Sequence, residues 1–397
     1  MADEGGTLES VRQRNLARLL RLVHHGGPLS RAALTEATGL NRSTIADLVG
    51  ALSDAGLVIE RAPDPSRKVG RPSPIVAVSP APVAIAVNPE VDALDIAAVG
   101  LDQSIRARVR HPLDDLISPA HTAELVAAQL TAWRADVLAD ARVIGVGLAV
   151  PGLVRAADGV VRDAPHLHWR DEPIGALVQA ATGMPTAVGN DASLGAIAEH
   201  LYGAAVGIDD VVYLNGGASG IGGGLIIGGV PVRGAGGYAG EFGQNRPGIA
   251  DAIDRRARDG VLEDDVSRSR LLAVAHLTRA DDAELADALS GPSPDIAAEV
   301  ARQRRILATA LANAVNVLNP AVIVLGGFLS TLARLDVDGL EAAVRAQSMP
   351  ACAEDLRIAP AGLGDDRLVI GAAEIVFADL FDALGAHMAA ENAHPAA

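Results

Sequence analysis

Cysteine is almost missing from this 397-residue chain: Cys352 is alone, which excludes an intrachain disulfide and any zinc site built on a cysteine cluster. Aromatic residues make up 2%, too few for the stacked platforms by which single-strand binders hold bases. No apolar run approaches the roughly 18–20 residues that span a bilayer. The longest candidates, such as VIGVGLAVPGLV, are broken by Gly and Pro. The opening MADEGGTLES lacks the basic start and apolar core of a secretory signal, so a cytoplasmic protein without membrane attachment is expected.

Apolar residues, by contrast, make up 49% of the chain, which supports about two to three domains of roughly 100–200 residues. The net charge is -16, unevenly spread: residues 10–71 hold ten Lys/Arg against five Asp/Glu, and residues 81–397 hold 23 against 41. A basic amino-terminal module on an acidic body is the asymmetry expected when one part alone touches a polyanion.

That module reads as three helices. Leu16, Leu19, Leu20 and Val23 fall on one helical face that ends near His24-His25-Gly26-Gly27. Ser30 is placed to cap a second helix with Leu34 and Ala37 inward, stopped by a left-handed Gly39. Asn41 caps a third, with Ile45, Leu48, Val49 and Leu52 inward until Ala55-Gly56. LVIER and PIVAVS then read as two strands around APDPSRKVGRPS, a basic tip. Three helices with a tight turn and a wing predict a winged helix-turn-helix for double-stranded DNA. Asn41, Arg42, Ser43 and Thr44 would start the recognition helix, with Arg67, Lys68 and Arg71 on the wing, Arg71 extended in Gly-Arg-Pro for a minor groove.

From about Ala81 strands and helices alternate: VAIAV, DIAAVGLD, a helix HTAELVAAQLTAWRADVLADA, then RVIGVGLAV. A second round runs through VVYLN, a glycine hairpin, a helical stretch from about Asp281 to Leu318, and AVIVLGG. Between Gly216 and Gly243, 13 of 28 residues are glycine. They interleave with Ile221, Leu225, Ile226, Ile227, Val230 and Val232, which predicts two strands around Gly228-Gly229 rather than a linker. Such density lets backbone N–H groups approach a ligand closely, and Asn190, Asp191 and Glu241 flank it. His166 and His168 in APHLHWRD read as an ordinary surface loop and not a metal pair.

Five segments together carry a resemblance: IGVGLAVPGLV, GNDASLGAIAEHLYG, ASGIGGGLIIGGVPVRGAGGYAGEFGQ, NAVNVLNPAVIVLGG and LGDDRLVIGAAEIVF. The body resembles the ROK family of sugar kinases and sugar-responsive repressors, within the actin-like ATPase superfamily. The winged module and its Gly-Arg-Pro resemble the repressor branch. The resemblance implies that Asn190, Asp191 and Glu241 bind sugar hydroxyls, Asp191 being the base in kinase members. Two departures stand out. Where kinases of the family carry Asp-x-Gly-Gly-Thr for phosphate, this chain has Asn88, Pro89, Glu90 and Val91, bulky and acidic. Where the family places a His and then cysteine ligands for zinc, Gln244 stands for the His and NRPGIADAID follows, with Asp251 in the place of a last sugar-binding Glu.

The expected fold class is therefore α/β, a two-lobed actin-like body preceded by the helical, winged DNA-binding domain. The expected spans are 7–62 for that domain, 63–80 for wing and linker, 81–193 for the first lobe with a carboxy-terminal helix near 371–390, and 194–370 for the second. The expected function is a repressor of carbohydrate-metabolism genes that binds an operator and senses a sugar or sugar phosphate as a homodimer or homotetramer. No catalytic residue, cofactor or metal is expected. The alternatives are an ATP-dependent sugar kinase with an appended DNA-binding module, and a regulator sensing a partner protein.

Overall fold

In the computed structural model, residues 4–62, 73–249, 253–256 and 260–391 are described. The first unit is α1 (Glu4–Gly26), β1 (Leu29–Ser30), α2 (Arg31–Thr38), α3 (Arg42–Asp54), β2 (Val58–Arg61) and β3 (Ile75–Val78), the strands pairing antiparallel in the order β1-β3-β2. The local signals work as read: Ser30 Oγ accepts from Ala33 N, Gly39 turns at φ 72°, and Asn41 Oδ1 accepts from Thr44 N. Leu16, Leu19, Leu20 and Val23 are buried with Ile45, Leu48, Val49 and Leu52. Ala37, expected inward, is exposed. The Arg18 guanidinium donates to the carbonyls of Ala37 and Thr38, so a polar clasp rather than a core closes that turn.

Two five-stranded sheets follow. The first holds β4 (Pro82–Pro89), β5 (Ala93–Gly100), β6 (Ile105–Pro112), β7 (Arg142–Val150) and β11 (Thr186–Asn190), in the order β11-β7-β4-β5-β6. Between β7 and β11 lie β8 (Leu153–Val154), β9 (Val161–Ala164), β10 (Trp169–Glu172) and α5 (Ile174–Thr182). After α6 (Asp191–Tyr202) the second sheet is built from β12 (Val211–Gly217), β13 (Gly220–Ile227), β14 (Val230–Pro231), β15 (Val322–Gly327) and β16 (Arg357–Pro360), in the order β14-β13-β12-β15-β16. Each sheet is an antiparallel three-strand meander with two further strands parallel to its first. The same topology therefore occurs twice, and ligand sites belong at the strand ends between the two copies.

Strand alternation sets what covers the first sheet. Val83, Ile85 and Val87 face α4 (Pro119–Arg134) and α5, while Ala84 and Ala86 face α13 (Arg367–Glu391). The small side brings α13 close: a Cβ at Gly147 would lie 1.8 Å from the Ala372 carbonyl oxygen. The same apolar cluster runs on through Phe377, Phe381 and Leu384 of α13 into α1, so the amino-terminal unit and the body share a core.

Two helices differ from expectation. The sequence predicts one helix over residues 121–141, but α4 ends at Arg134 and Leu138 N turns back to the Trp133 carbonyl. Asp136 and Asp140 would have placed negative charge at a helix carboxy-terminus, the unfavourable end. The stretch from Asp281 to Leu318 is two helices, α9 (Asp282–Leu289) and α10 (Pro294–Leu318), after α7 (Leu262–Asp265) and α8 (Arg268–Val274). Gly291-Pro292 breaks it, since a helix rarely continues through the residue before proline. The remaining helices are α11 (Phe328–Arg334) and α12 (Val337–Arg345).

Candidate functional site

Asn190 ends β11 opposite Val150 of β7, which puts it beside the Pro151-Gly152 turn. Its Oδ1 accepts from Ser193 N at 2.9 Å and caps α6, while its Nδ2 donates to the Gly152 carbonyl at 3.0 Å and to Asp191 Oδ1 at 3.2 Å. Asp191 is the first residue of α6, and Oδ1 accepts from Ala192 N at 2.8 Å. Burial pushes its carboxyl up to about 6 against the pull of that N–H. The helix reaches this position because β13 is glycine where α6 lies on it: a Cβ would stand 2.8 Å from Ala192 Cβ at Gly222 and 2.5 Å from Ala196 Cβ at Gly224. Gly228 and Gly229 turn the hairpin at φ 58° and 74°, as its spacing predicts.

Glu241 faces the same space, and its carboxyl is pushed up to about 6 by burial, then by Asp191 and Glu263. Gln244 Nε2 donates to Glu263 Oε1 at 2.6 Å, and Glu263 Oε2 accepts from Ile221 N at 3.1 Å. Asn190, Asp191, Glu241 and Gln244 thus meet around one cavity of about 360 Å³, with Asn215, Ser219, His166 and Glu263 on its wall. That volume suits a monosaccharide-sized ligand, and three carboxylates with three carboxamides suit its hydroxyls. Asp251 lies outside the described residues. Glu263 was missed by sequence reasoning; its only local signal is the acidic first turn of VLEDD. His166 and His168 are exposed as expected, but His166 borders the cavity.

A second cavity of about 560 Å³ opens between the two sheets, lined by Asn88, Glu90, Asp92, Asp95, Gly216 and Gly217 among others. Asn88 Nδ2 is committed to the Ala149 carbonyl at 2.8 Å, and Glu90 N to the Ala93 carbonyl. Arg110 holds Glu90 at 3.1 Å and Asp92 at 3.2 Å, and burial pushes the Glu90 carboxyl up. The hairpin tip at 88–92 therefore turns carboxylates into the cleft, and Pro89, without an N–H, and Glu90, whose N–H is spent on the hairpin, offer no backbone donor to a phosphate.

Zinc of the kind the resemblance implies does not fit the residues after Glu241: Phe242-Gly243-Gln244-Asn245 offers no histidine or thiolate, and Cys352 packs against the apolar core beside β16. The corresponding segment is held by α10 instead. Arg302 Nη1 donates to the Asp254 carbonyl at 2.7 Å and Nη2 to the Asp265 carbonyl at 2.6 Å, while Gln303 Nε2 and Oε1 clasp the backbone of Ser267.

In the first unit, Asn41, Arg42 and Ser43 are exposed and Thr44 half-buried at the start of α3. Ser43 Oγ donates to Asn41 Oδ1 at 2.7 Å, so Asn41 spends its oxygen on the cap and Arg42 is the free-standing cation of the group. Arg67, Lys68 and Arg71 lie outside the described residues.

Comparison with known proteins adds three findings. The model of the ROK family matches residues 85–378. The xylose repressor of Caldicellulosiruptor bescii is 26% identical over 402 residues, covering 93% of this chain and 97% of that protein; the glucokinase of Halalkalibacterium halodurans is 30% identical over 254 residues, covering 59% and 76%. Among solved structures, a ROK family transcriptional regulator described as a homolog of the E. coli MLC protein shares the fold, with a TM-score of 0.75 at 23% identity over 95% of this chain and 98% of that one.

Proposed function

The chain belongs to the ROK family, and from that premise we propose that it is a DNA-binding transcriptional repressor whose kinase-like body senses a sugar. One observation carries this reading. Similarity to a xylose repressor over 93% of the chain must include residues before 85, where the family model begins, whereas similarity to a glucokinase covers 59%. The three helices and three strands before Ser79 are then a winged helix-turn-helix, with α3 as the recognition helix.

On this reading Arg42 reaches base edges, Asn41, Ser43 and Thr44 position α3, and Arg67, Lys68 and Arg71 add wing contacts. Arg42→Ala weakens a specific operator by about 1–3 kcal/mol and relaxes one base position, whereas Lys68→Ala weakens all sequences alike. Competition binding with operator variants checks this, and equal loss at every base substitution would refute the assignment of Arg42. Paired units of a homodimer or homotetramer would meet half-sites about 34–36 Å apart.

The sugar site is the 360 Å³ cavity, with Asn190, Asp191, Glu241, Gln244 and Glu263 as its hydrogen-bonding groups. Asp251 remains part of the proposal as a further acceptor. Catalysis is not proposed, because an Asp191 without a neutralised phosphoryl donor has nothing to activate. The effector acts by favouring one arrangement of the two sheets, which requires different affinities in the DNA-bound and released states.

Hydroxyls donate to carboxylates, so the ionised forms of Asp191 and Glu241 are the binding forms. Their carboxyls lie near 6; affinity is therefore full above about pH 7 and falls as pH drops through 6. A loss of roughly tenfold by pH 5 follows for one required ionisation. Calorimetry with D-xylose and D-glucose from pH 5 to 8 reads it, and Asp191→Asn should weaken binding throughout and leave a shallower fall, set by Glu241 and moved to lower pH by the loss of the neighbouring charge. The reading as a whole is tested by selecting bound fragments from the source genome and releasing them with the same sugars. Sugar-dependent ATP consumption abolished by Asp191→Asn would overturn it in favour of a kinase.

A further inference from the structure

The carboxy-terminal end of α1 carries two histidines that neither DNA contact nor the sugar cavity uses. His24 is buried, and its Nδ1 stands 2.7 Å from the Leu101 carbonyl oxygen, so that nitrogen donates and Nε2 is aimed the other way. There Nε2 meets Glu374 of α13, 2.9 Å from Oε1 and 3.2 Å from Oε2, and the Tyr202 hydroxyl at the end of α6, 2.9 Å away. The Tyr202 hydroxyl also donates to Glu374 Oε1 at 2.9 Å. His25, the next residue, brings Nε2 to 3.9 Å from Glu374 Oε2. The ligand atoms of His24, His25 and Glu374 all lie within 4.8 Å of one another, the one such group of three among the described residues.

From this geometry we propose that His24, His25 and Glu374 form a binding site for a divalent transition metal, with Zn²⁺ the ion that fits the donor set and the Tyr202 hydroxyl or a water as fourth ligand. Two imidazoles and a carboxylate suit zinc, and bonds of about 2.0–2.2 Å put neighbouring ligand atoms of a tetrahedron roughly 3.3 Å apart. The His24–Glu374 spacings of 2.9 and 3.2 Å and the His25–Glu374 spacing of 3.9 Å lie on either side of that value, and no pair in the group is more than 4.8 Å apart, so ligation asks for side-chain adjustments of up to roughly 1.5 Å. A ring nitrogen donating to a backbone carbonyl while the other points at the ion is the orientation that metal-ligating histidines take. His25 is exposed, which gives an entry path from solvent. Ligation requires the facing imidazole nitrogens and the Glu374 carboxylate to be unprotonated, so any proton they carry leaves to solvent as the ion binds.

The site's position gives it consequence. It joins the last turn of α1 in the amino-terminal unit to α13, and to α6, whose first residue, Asp191, lines the sugar cavity. An ion there staples the amino-terminal unit to the helix that leads to the cavity.

The full chain, stripped with a chelator and dialysed, is titrated with Zn²⁺ against a chromophoric competitor, and with Co²⁺ followed by its visible d–d bands. One ion per chain is expected, with the band intensity of four-coordinate Co²⁺ and a raised Tm. His25→Ala removes an exposed ligand, leaves the fold intact by circular dichroism, and lowers Zn²⁺ affinity by more than about tenfold. Glu374→Gln does the same, and the surface variant His168→Ala leaves affinity unchanged. Absence of a bound ion in the stripped and reloaded chain overturns the proposal, as does undiminished binding by His25→Ala. Neither outcome bears on operator or sugar binding, which are read without added metal.

Discussion

Arg302→Met lowers the stability of the body by about 3–5 kcal/mol, the cost of leaving buried partners of an ion pair uncompensated. Arg302 is 2% exposed. Its Nε and Nη2 fork onto Glu299 at 2.9 and 2.6 Å, its Nη1 lies 3.6 Å from Asp265 Oδ1, and both terminal nitrogens also hold backbone carbonyls of the segment after Glu241. The substitution keeps the volume but removes the cation from the Glu299 and Asp265 carboxylates, which are left with Gln303 Nε2 and the Arg256 N–H as neutral donors, and unpairs two carbonyls. Thermal unfolding should fall by roughly 10 °C. The effect reaches the cavity because Glu263 sits two residues before Asp265 on α7 and fixes the Ile221 N–H and the Gln244 amide. Affinity for D-xylose or D-glucose, whichever the parent binds, should drop with stability. An unchanged Tm would mean that this arginine does not hold the segment. Arg302→Lys separates charge from geometry: an ammonium keeps the charge but cannot fork onto Glu299 and span two carbonyls, so most of the loss should remain.

The contrast between Arg302 and Asn41 shows what a sequence makes legible. Asn41, Ser30 and Gly39 act on groups within four residues, and their caps and left-handed turn follow from residue type and spacing alone. The Gly228-Gly229 hairpin and the convergence of Asn190, Asp191, Glu241 and Gln244 were likewise readable, the latter because the motifs resemble those of a known family. Arg302 was not readable, because the carbonyls it clamps are 37 and 48 residues away and its local pairing with Glu299 does not distinguish a clamp from a surface arginine on a 25-residue helix. Glu263 escaped for the same reason, lying beyond a segment whose register the absent cysteines leave unfixed. His24 and Glu374 are 350 residues apart and meet only because α13 returns to the first sheet. The helix expected over Asp281–Leu318 failed differently: apolar periodicity outweighed the Gly291-Pro292 break, which was present in the sequence to be used.

Glu199→Ala is the second large effect expected, and it bears on how the two sheets communicate. Glu199 is fully buried on α6, one turn before its end. Its Oε2 accepts from Ala204 N at 2.7 Å and from Gly362 N at 2.9 Å, and its Oε1 from Leu363 N at 2.9 Å. Hydrogen bonds to a charged group contribute roughly 1.5–3 kcal/mol each, and Gly362 can recover a water because it is exposed, so a net loss of about 3 kcal/mol is expected. The consequence goes beyond stability, because the carboxylate ties the end of α6 to the loop after β16 while Asp191 at the other end lines the cavity. One helix thereby carries a cavity-lining carboxylate, a tether to the second sheet and, at Tyr202, contact with α1. Cutting the tether should leave operator binding near the parental value at low temperature and reduce the release of operator by sugar. Gel-shift titrations at 4 °C with and without sugar, beside chemical denaturation, read the two effects separately. Full sugar-dependent release in a destabilised Glu199→Ala chain would show that α6 does not carry the signal through this carboxylate.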